Sequence, residues 1–310
     1  MRNRARLTLV AVTAVLALWL ACGGQGAPSN PAGPSSSGST LTPEPAPIPQ
    51  TVVLAGAGDL ANCETPQASE KVAQLLNNVE GLLFTAGDNA YENGTFEEFQ
   101  KCYGPTWGRH LARTRPSPGN HDYNTRGAAG YFQYFGDLAG PAGLGYYSYD
   151  HGAWKILSLN SNVPAGPGSA QFSWVEGELR SNSAMCTMAY WHHPVFSSGH
   201  DGNMPNMRPI WQLLFDHGVE IVVVGHSHHY ERFAPQDVTA RPMPGRGIRE
   251  FIVGTGTYFT RILSIQPNSE VVNGSTNGVL KLTLAPTSYS WEFIPVAGAS
   301  FRDSGSDVCF

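Results

Sequence analysis

The chain has 310 residues, 41% of them apolar and 14% charged, and a formal net charge of −5. That is enough apolar material to bury one large core or two small ones. Beyond the first residues there is no basic block, which argues against a broad nucleic-acid footprint. A small anionic substrate stays open, because bound cations would set the local field.

Arg2, Arg4 and Arg6 precede the apolar run Leu7 to Leu20, the n-region and h-region of a secretory signal. The run is too short, and too soon followed by Gly and Pro, to span a membrane. Leu20-Ala21-Cys22 resembles a bacterial lipobox, with Trp19 where Leu is usual. Lipidation at Cys22 would anchor the exported chain at the cell envelope; the alternative is simple cleavage near Ala21. Residues 1–22 are thus expected to be a signal, and the Gly/Pro/Ser-rich residues 23–50 a flexible tether. Residues 51–310 are expected to form one folded domain. Cys63, Cys102, Cys186 and Cys309 remain, and an even count in an exported protein favours two disulfides. Three connectivities are open. Cys63 with Cys102 is preferred, since each follows a candidate ligand loop; free buried thiols are the alternative.

The domain begins with a strand over Thr51–Ala55 that feeds Gly58-Asp59. Thr65 as N-cap and Pro66 at the first helical position predict a helix with Val72, Leu75, Leu76 and Val79 on one face. A second strand, residues 81–86, leads to Gly87-Asp88-Asn89-Ala90-Tyr91. Thr95 and Glu98 form a capping box for a helix that turns Phe96, Phe99 and Tyr103 inward. After Gly119-Asn120-His121-Asp122, the aromatic stretch Tyr131–Phe135 is read as part of the core, and residues 146–159 as a hairpin.

Phe172, Val175 and Leu179 mark another helix, and Met185–Trp191 a strand ending at His192. Asn206 is expected to cap a helix through Ile210, Leu213 and Leu214, closed by His217-Gly218. The run Ile221–Val224 is continuously β-branched, as in a strand covered on both faces, and ends in Gly225-His226-Ser227-His228. Strands near residues 251–253, 280–284 and 289–293 complete the pattern. Strands alternating with helices predict an α/β fold, with ligands on the loops that follow strands.

Five loop tips therefore carry metal-ligand side chains: Asp59; Asp88 with Tyr91; Asn120 with His121; the His192-His193-Pro194 stretch; and His226 with His228. Taken singly, such Asp and Asn residues are ordinary turn formers and such histidines ordinary core or surface groups. Taken together they offer a phenol and carboxylates, suited to a hard trivalent ion, beside imidazoles and an amide oxygen, suited to Zn(II), Fe(II) or Mn(II). Two cations a few ångströms apart suit phosphate-ester hydrolysis, because they activate a water and offset charge on the transferring oxygens.

The series Gly-Asp, Gly-Asp-x-x-Tyr, Gly-Asn-His-Asp, His-x-Pro and Gly-His-x-His-x-Tyr-Glu-Arg resembles the calcineurin-like metallophosphoesterases, and within them the purple acid phosphatases. The likeness covers roughly residues 52–298. The superfamily's Asp-x-His becomes Asp59-Leu60-Ala61 here, while Tyr91 fits the purple subgroup's substitute ligand. The resemblance implies a four-layer α/β/β/α sandwich with two mixed sheets. It implies a first metal, Fe(III), held by Asp59, Asp88, Tyr91 and His228. A second, Zn(II), Fe(II) or Mn(II), would be held by Asp88, Asn120, His192 and His226.

His121 would contact the substrate phosphate, and His200 would serve as leaving-group acid. The expected activity is that of an acid phosphatase on small phosphate monoesters. The alternatives are a phosphodiesterase or nucleotidase on the same site, or a non-catalytic cell-surface binding lipoprotein. His193 is expected to point away from the metals, Glu231 and Arg232 to fix their loop by an ion pair, and His110, His151, His217 and His229 to be structural.

Overall fold

The computed structural model describes residues 50–310. The expected signal, Cys22, and all of the tether but its last residue lie outside the described residues. In chain order the first half contains β1 (Val52–Ala57), β2 (Ala61–Asn62), α1 (Pro66–Leu75), β3 (Leu82–Ala86), β4 (Ala90–Tyr91), α2 (Phe96–Glu98), β5 (Thr114–Ser117), α3 (Asn120–Asn124) and α4 (Ala129–Phe135). β6 (Tyr147–His151), β7 (Trp154–Ser158), α5 (Ala170–Ser181), β8 (Cys186–Tyr190), α6 (Arg208–Asp216) and β9 (Ile221–Val224) follow. β10 (Tyr230–Phe233), β11 (Arg249–Val253), β12 (Ser269–Asn273), β13 (Gly278–Ala285), β14 (Ser288–Pro295) and β15 (Ser304–Val308) complete the described chain.

The strands form two mixed sheets, ordered β15-β14-β13-β1-β3-β5 and β12-β10-β11-β9-β8-β7-β6. Alternation along each strand sends successive side chains to opposite faces, and that decides the layers. Leu54 and Phe84 from the first sheet meet Met188, Tyr190, Ile221 and Val223 from the second in a core between the sheets. Their neighbours Ala55 and Leu83 face outward onto Val72 and Leu76 of the first helical segment. Ala189, Val222 and Val224 face outward onto α5 and α6 through Val175, Leu179, Ile210, Trp211 and Leu214. The expected α/β/β/α sandwich is therefore the one observed. Each fully buried Leu, Ile or Val here contributes about 1.5–3 kcal/mol relative to exposure.

Several local readings change. Thr65 makes no side-chain cap bond to α1, and Asn62 Oδ1 instead accepts from the backbone N–H of Glu64 and Thr65. The capping box of Thr95 and Glu98 is present, but α2 passes after one turn into a wider π-helical turn over Phe99–Tyr103. That turn buries Phe99 and Tyr103 and leaves Phe96 half-buried. Phe135 of α4 packs against both of those rings and Tyr131 packs against Phe135, as the aromatic-core reading expects. Asn206 does not cap α6. It lies in the preceding short turn and donates from Nδ2 to the Ser161 carbonyl (2.9 Å), while Pro209 occupies the first turn of the helix.

Both disulfides exist. Cys63–Cys102 spans the segments after Asp59 and after Asp88, as preferred from the sequence, and Cys186–Cys309 joins the start of β8 to the residue after β15.

Glu220, at the foot of β9, is 1% exposed; its Oε2 accepts from the Thr187 N–H (2.8 Å) and its Oε1 has no partner among the described residues. Burial pushes its carboxyl up to about 7. Because the folded chain holds this proton more tightly than the unfolded chain, the stability linked to it is full below the ordinary carboxylate range and is lost as pH rises through about 7. Glu220→Gln, which cannot ionise, is therefore expected to gain on the parent by up to about 3 kcal/mol between pH 4 and pH 8. Urea unfolding of both proteins across that range reads the difference, and a gap that does not widen with pH contradicts the assignment.

Candidate metal centre

Five parallel strands end at one edge of the sandwich, and the loops that follow them carry the predicted side chains. Asp59 follows β1, Asp88 follows β3 and Asn120 follows β5 in the first sheet; His192 follows β8, and His226 and His228 follow β9 in the second. The loops themselves are paired. Asp59 N–H donates to the Gly87 carbonyl (3.0 Å), Leu60 N–H to Asp88 (2.9 Å), and Gly225 N–H to His192 (3.0 Å). Gly58 N–H donates to Val253 at the end of β11 (2.8 Å), which joins the edges of the two sheets beneath the site.

Close approach dictates the glycines. At Gly87, where φ is +81°, a Cβ would stand 2.4 Å from His192 Nδ1, and at Gly119 one would stand 2.1 Å from Asp88 Oδ1. Asp59, Asp88 and His226 themselves adopt left-handed backbone, with φ of 63°, 50° and 65°. Asp and His tolerate that region better than most residues, at a cost of about 1–3 kcal/mol each. The strain turns these side chains out of the pleat and into a common space.

There the donors meet in two groups. Tyr91 Oη lies 2.8 Å from Asp59 Oδ1, 3.1 Å from Asp88 Oδ2 and 3.3 Å from His228 Nε2. Asn120 Oδ1 lies 3.0 Å from His192 Nε2 and 2.9 Å from His226 Nδ1. Asp88 belongs to both groups, since the Oδ2 that faces Tyr91 is also 3.2 Å from His192 Nε2. The far sides of two imidazoles are fixed: His192 Nδ1 donates to the Ala86 carbonyl (2.7 Å) and His228 Nδ1 to the Tyr258 carbonyl (3.1 Å). Each ring thereby turns Nε2 toward the centre, the orientation a metal ligand needs.

The electrostatics call for positive charge. Asp59 and Asp88 are buried, and among the described residues no Lys or Arg pairs with either. Burial alone would push the Asp88 carboxyl up, but His192 and His121 outweigh it and hold it well below the carboxylate range. In turn, burial would lower His192, and the Asp88 charge raises it. Burial, and then Asp59 and Asp88, push the Tyr91 phenol well above its usual range. Buried carboxylates, imidazoles and a phenol whose neighbouring donor atoms lie 2.8–3.3 Å apart are a donor set that cations fit, and a cation would take the place of the proton that Asp88 favours on His192.

Around these seven residues the predictions fare unevenly. His121 donates from Nδ1 to the Glu92 carbonyl (2.7 Å), which leaves Nε2 3.9 Å from Asp88 Oδ2 at the rim. His200 is not gathered in: its side chain is 62% exposed and its Nδ1 lies 3.2 Å from Asp201. It is the Asp201 carboxylate that approaches His226, 4.0 Å from Nε2.

His193 does not point away. β8 ends at Tyr190, so strand alternation no longer governs residues 192 and 193, and the His193 ring sits 4.6 Å from that of His226. Glu231 and Arg232 do not pair with each other. Successive residues of β10 face opposite ways, so Arg232 turns to Asp303 and Glu270. Glu231 is buried against His229 Nε2 (2.9 Å) and accepts from the Ser198 N–H (2.9 Å), which secures the loop carrying His200 and Asp201. His110, His151 and His217 each bond a backbone carbonyl, consistent with structural roles.

Two contributors escaped the sequence reading. Tyr258 stacks on His228 with ring centroids 4.1 Å apart. It follows β11 and a Gly-Thr-Gly-Thr turn, the same strand-then-glycine design as the other loops, and that was the available signal. Asp122 accepts from the N–H groups of Asn89 and Gly119 and from Asn89 Nδ2, and so clamps the Asp88 loop to the Asn120 loop.

Comparison with known proteins agrees with this geometry. The family model for calcineurin-like phosphoesterases matches residues 54–230. An uncharacterised protein of Mycobacterium tuberculosis is 27% identical over 290 residues, covering 78% of this chain and 54% of that protein. Purple acid phosphatase 15 of Arabidopsis thaliana is 25% identical over 216 residues, covering 58% of this chain and 40% of its own. This chain thus spans about half the length of the curated relatives it matches. Among solved structures, a purple acid phosphatase from yellow lupin seeds shares the fold with a TM-score of 0.68 at 17% identity, over 83% of this chain and 53% of that one. The chain belongs to the calcineurin-like phosphoesterase family and, within it, is similar to the purple acid phosphatases.

Proposed function

We propose that the protein is a dinuclear-metal phosphoesterase acting as an acid phosphatase on small phosphate monoesters. The observation that carries the reading is the single Asp88 Oδ2 shared by the two donor groups, 3.1 Å from Tyr91 Oη and 3.2 Å from His192 Nε2. Asp59, Asp88, Tyr91 and His228 would hold the first ion, Fe(III). Asp88, Asn120, His192 and His226 would hold the second, Zn(II), Fe(II) or Mn(II). When bound, such a pair supplies a nucleophilic water and offsets charge on the transferring phosphoryl oxygens.

The chain's own residues do the rest. His192 and His228 hold their Nε2 lone pairs inward through the Ala86 and Tyr258 carbonyls. His121 stands at the rim with Nε2 toward Asp88, placed to bind a phosphate oxygen when protonated. The leaving-group proton is assigned to His200, whose Nδ1 is beside Asp201 and whose exposed ring can turn toward the site. The loop that bears it is fixed through Ser198 and Glu231. Two disulfides support an extracytoplasmic location, in keeping with export and a lipid anchor at Cys22.

The test is phosphate release by the metal-loaded protein from an aryl phosphate monoester and from the matching diester. Hydrolysis of the monoester, abolished by chelation, is expected. Preferential diester cleavage would move the assignment to a phosphodiesterase, and no release from either would favour a binding lipoprotein.

A further inference from the structure

Three imidazoles, not two, stand on the Asn120 side of the centre. The rings of His192, His193 and His226 lie 5.0, 5.1 and 4.6 Å apart pairwise, centroid to centroid, a nearly equilateral set. One nitrogen of each lies within 4.8 Å of those of the other two. His193 is 7% exposed, so its ring is not a surface group.

Its other contacts repeat the arrangement of the neighbouring rings. His193 Nδ1 lies 2.7 Å from Ser161 Oγ, and the His193 main-chain N–H donates to the same oxygen (3.1 Å). Ser161 Oγ, which accepts from the main-chain N–H, thus also holds the ring from behind at Nδ1, as the Ala86 carbonyl holds His192 at its Nδ1. The Trp191 indole N–H donates to the His193 carbonyl (2.7 Å) and fixes the backbone at this point. The consequence is a buried imidazole held from behind at Nδ1, with Nε2 left without a hydrogen-bond partner among the described residues, the way a metal-ligating ring is oriented.

We propose that His193 is an additional imidazole of the second cation's pocket, positioned by Ser161, so that this ion is held by His193 as well as by Asp88, Asn120, His192 and His226. The inference rests on the dinuclear reading above and adds a ligand to it. An extra neutral imidazole raises the affinity of the second position for Zn(II) without altering the net charge of the site.

The experiment is a Zn(II) titration of the chelator-stripped protein by calorimetry and elemental analysis, in the parent, His193→Ala and Ser161→Ala. His193→Ala is expected to weaken the second ion by about 10- to 100-fold and to leave the first ion's affinity unchanged. Ser161→Ala, which frees the ring and also unpairs the His193 main-chain N–H, is expected to weaken it in the same direction by less. If both variants keep the parent's second-ion affinity, the proposal is overturned. Should His193→Ala not fold, the Ser161→Ala titration decides by itself. A parent that binds a single ion removes the dinuclear reading and this proposal with it, whereas a two-ion parent matched by both variants overturns this proposal alone.

Discussion

Asp88→Ala is expected to lower kcat/KM for monoester hydrolysis by at least about 10³-fold, the upper range for losing one pre-placed stabilising group, because Asp88 serves both donor sets. Its Oδ2 faces Tyr91 and His192, and its Oδ1 accepts from the His121 N–H (2.8 Å). Removing it leaves His192 buried without its counter-charge and loosens the residue assigned to bind phosphate. The backbone at Asp88 has φ of 50°, a conformation alanine adopts reluctantly. Asp88→Asn is therefore the companion variant, since asparagine tolerates that conformation while lacking the charge. Comparable activity losses in the two variants, with unfolding temperatures near the parent's, locate the effect in the carboxylate. Activity equal to the parent's in both contradicts the shared-ligand role.

Tyr91→Phe is expected to abolish the visible absorption of the iron-loaded protein. The phenol sits among Asp59, Asp88 and His228, where burial and the two carboxylates keep its proton on well above the usual tyrosine range. Only a strongly polarising cation next to Oη converts it to phenolate, and phenolate bound to Fe(III) is the coloured species that the purple subgroup implies. The variant keeps the ring, which packs 4.5 Å from His121 and 5.9 Å from Tyr258, so the loss is confined to the oxygen. Spectra of parent and variant after iron loading read the result. A colourless, zinc-only parent whose activity survives Tyr91→Phe would reject the iron assignment and leave the phosphoesterase one.

Among the strands that deliver the ligands, β9 was legible because it is a β-branched run ending in glycine that burial on both faces makes continuous, whereas β5 was not foreseen, being four residues long with Arg115 and Pro116 inside it. The seven ligand candidates were legible for a related reason: each lies in the segment just after a strand, where α/β sheets place their sites. What the sequence concealed depends on contacts between distant segments. β15 and β12 are polar edge strands whose existence is owed to pairing with β14 and β10. The orientation of His193 turns on where β8 ends, one residue before Trp191, and Glu231 finds its partner in Ser198, 33 residues away. His200 shows the converse limit: its spacing matched, but an exposed loop does not fix where a side chain points.

The central claim is that these loops gather two cations around Asp88, and elemental analysis of the purified protein beside Asp88→Ala tests it most directly. The account predicts about two ions per parent chain, with iron among them, and a marked loss of both in the variant. A parent with no stoichiometric metal, or a variant that retains both ions, would contradict it.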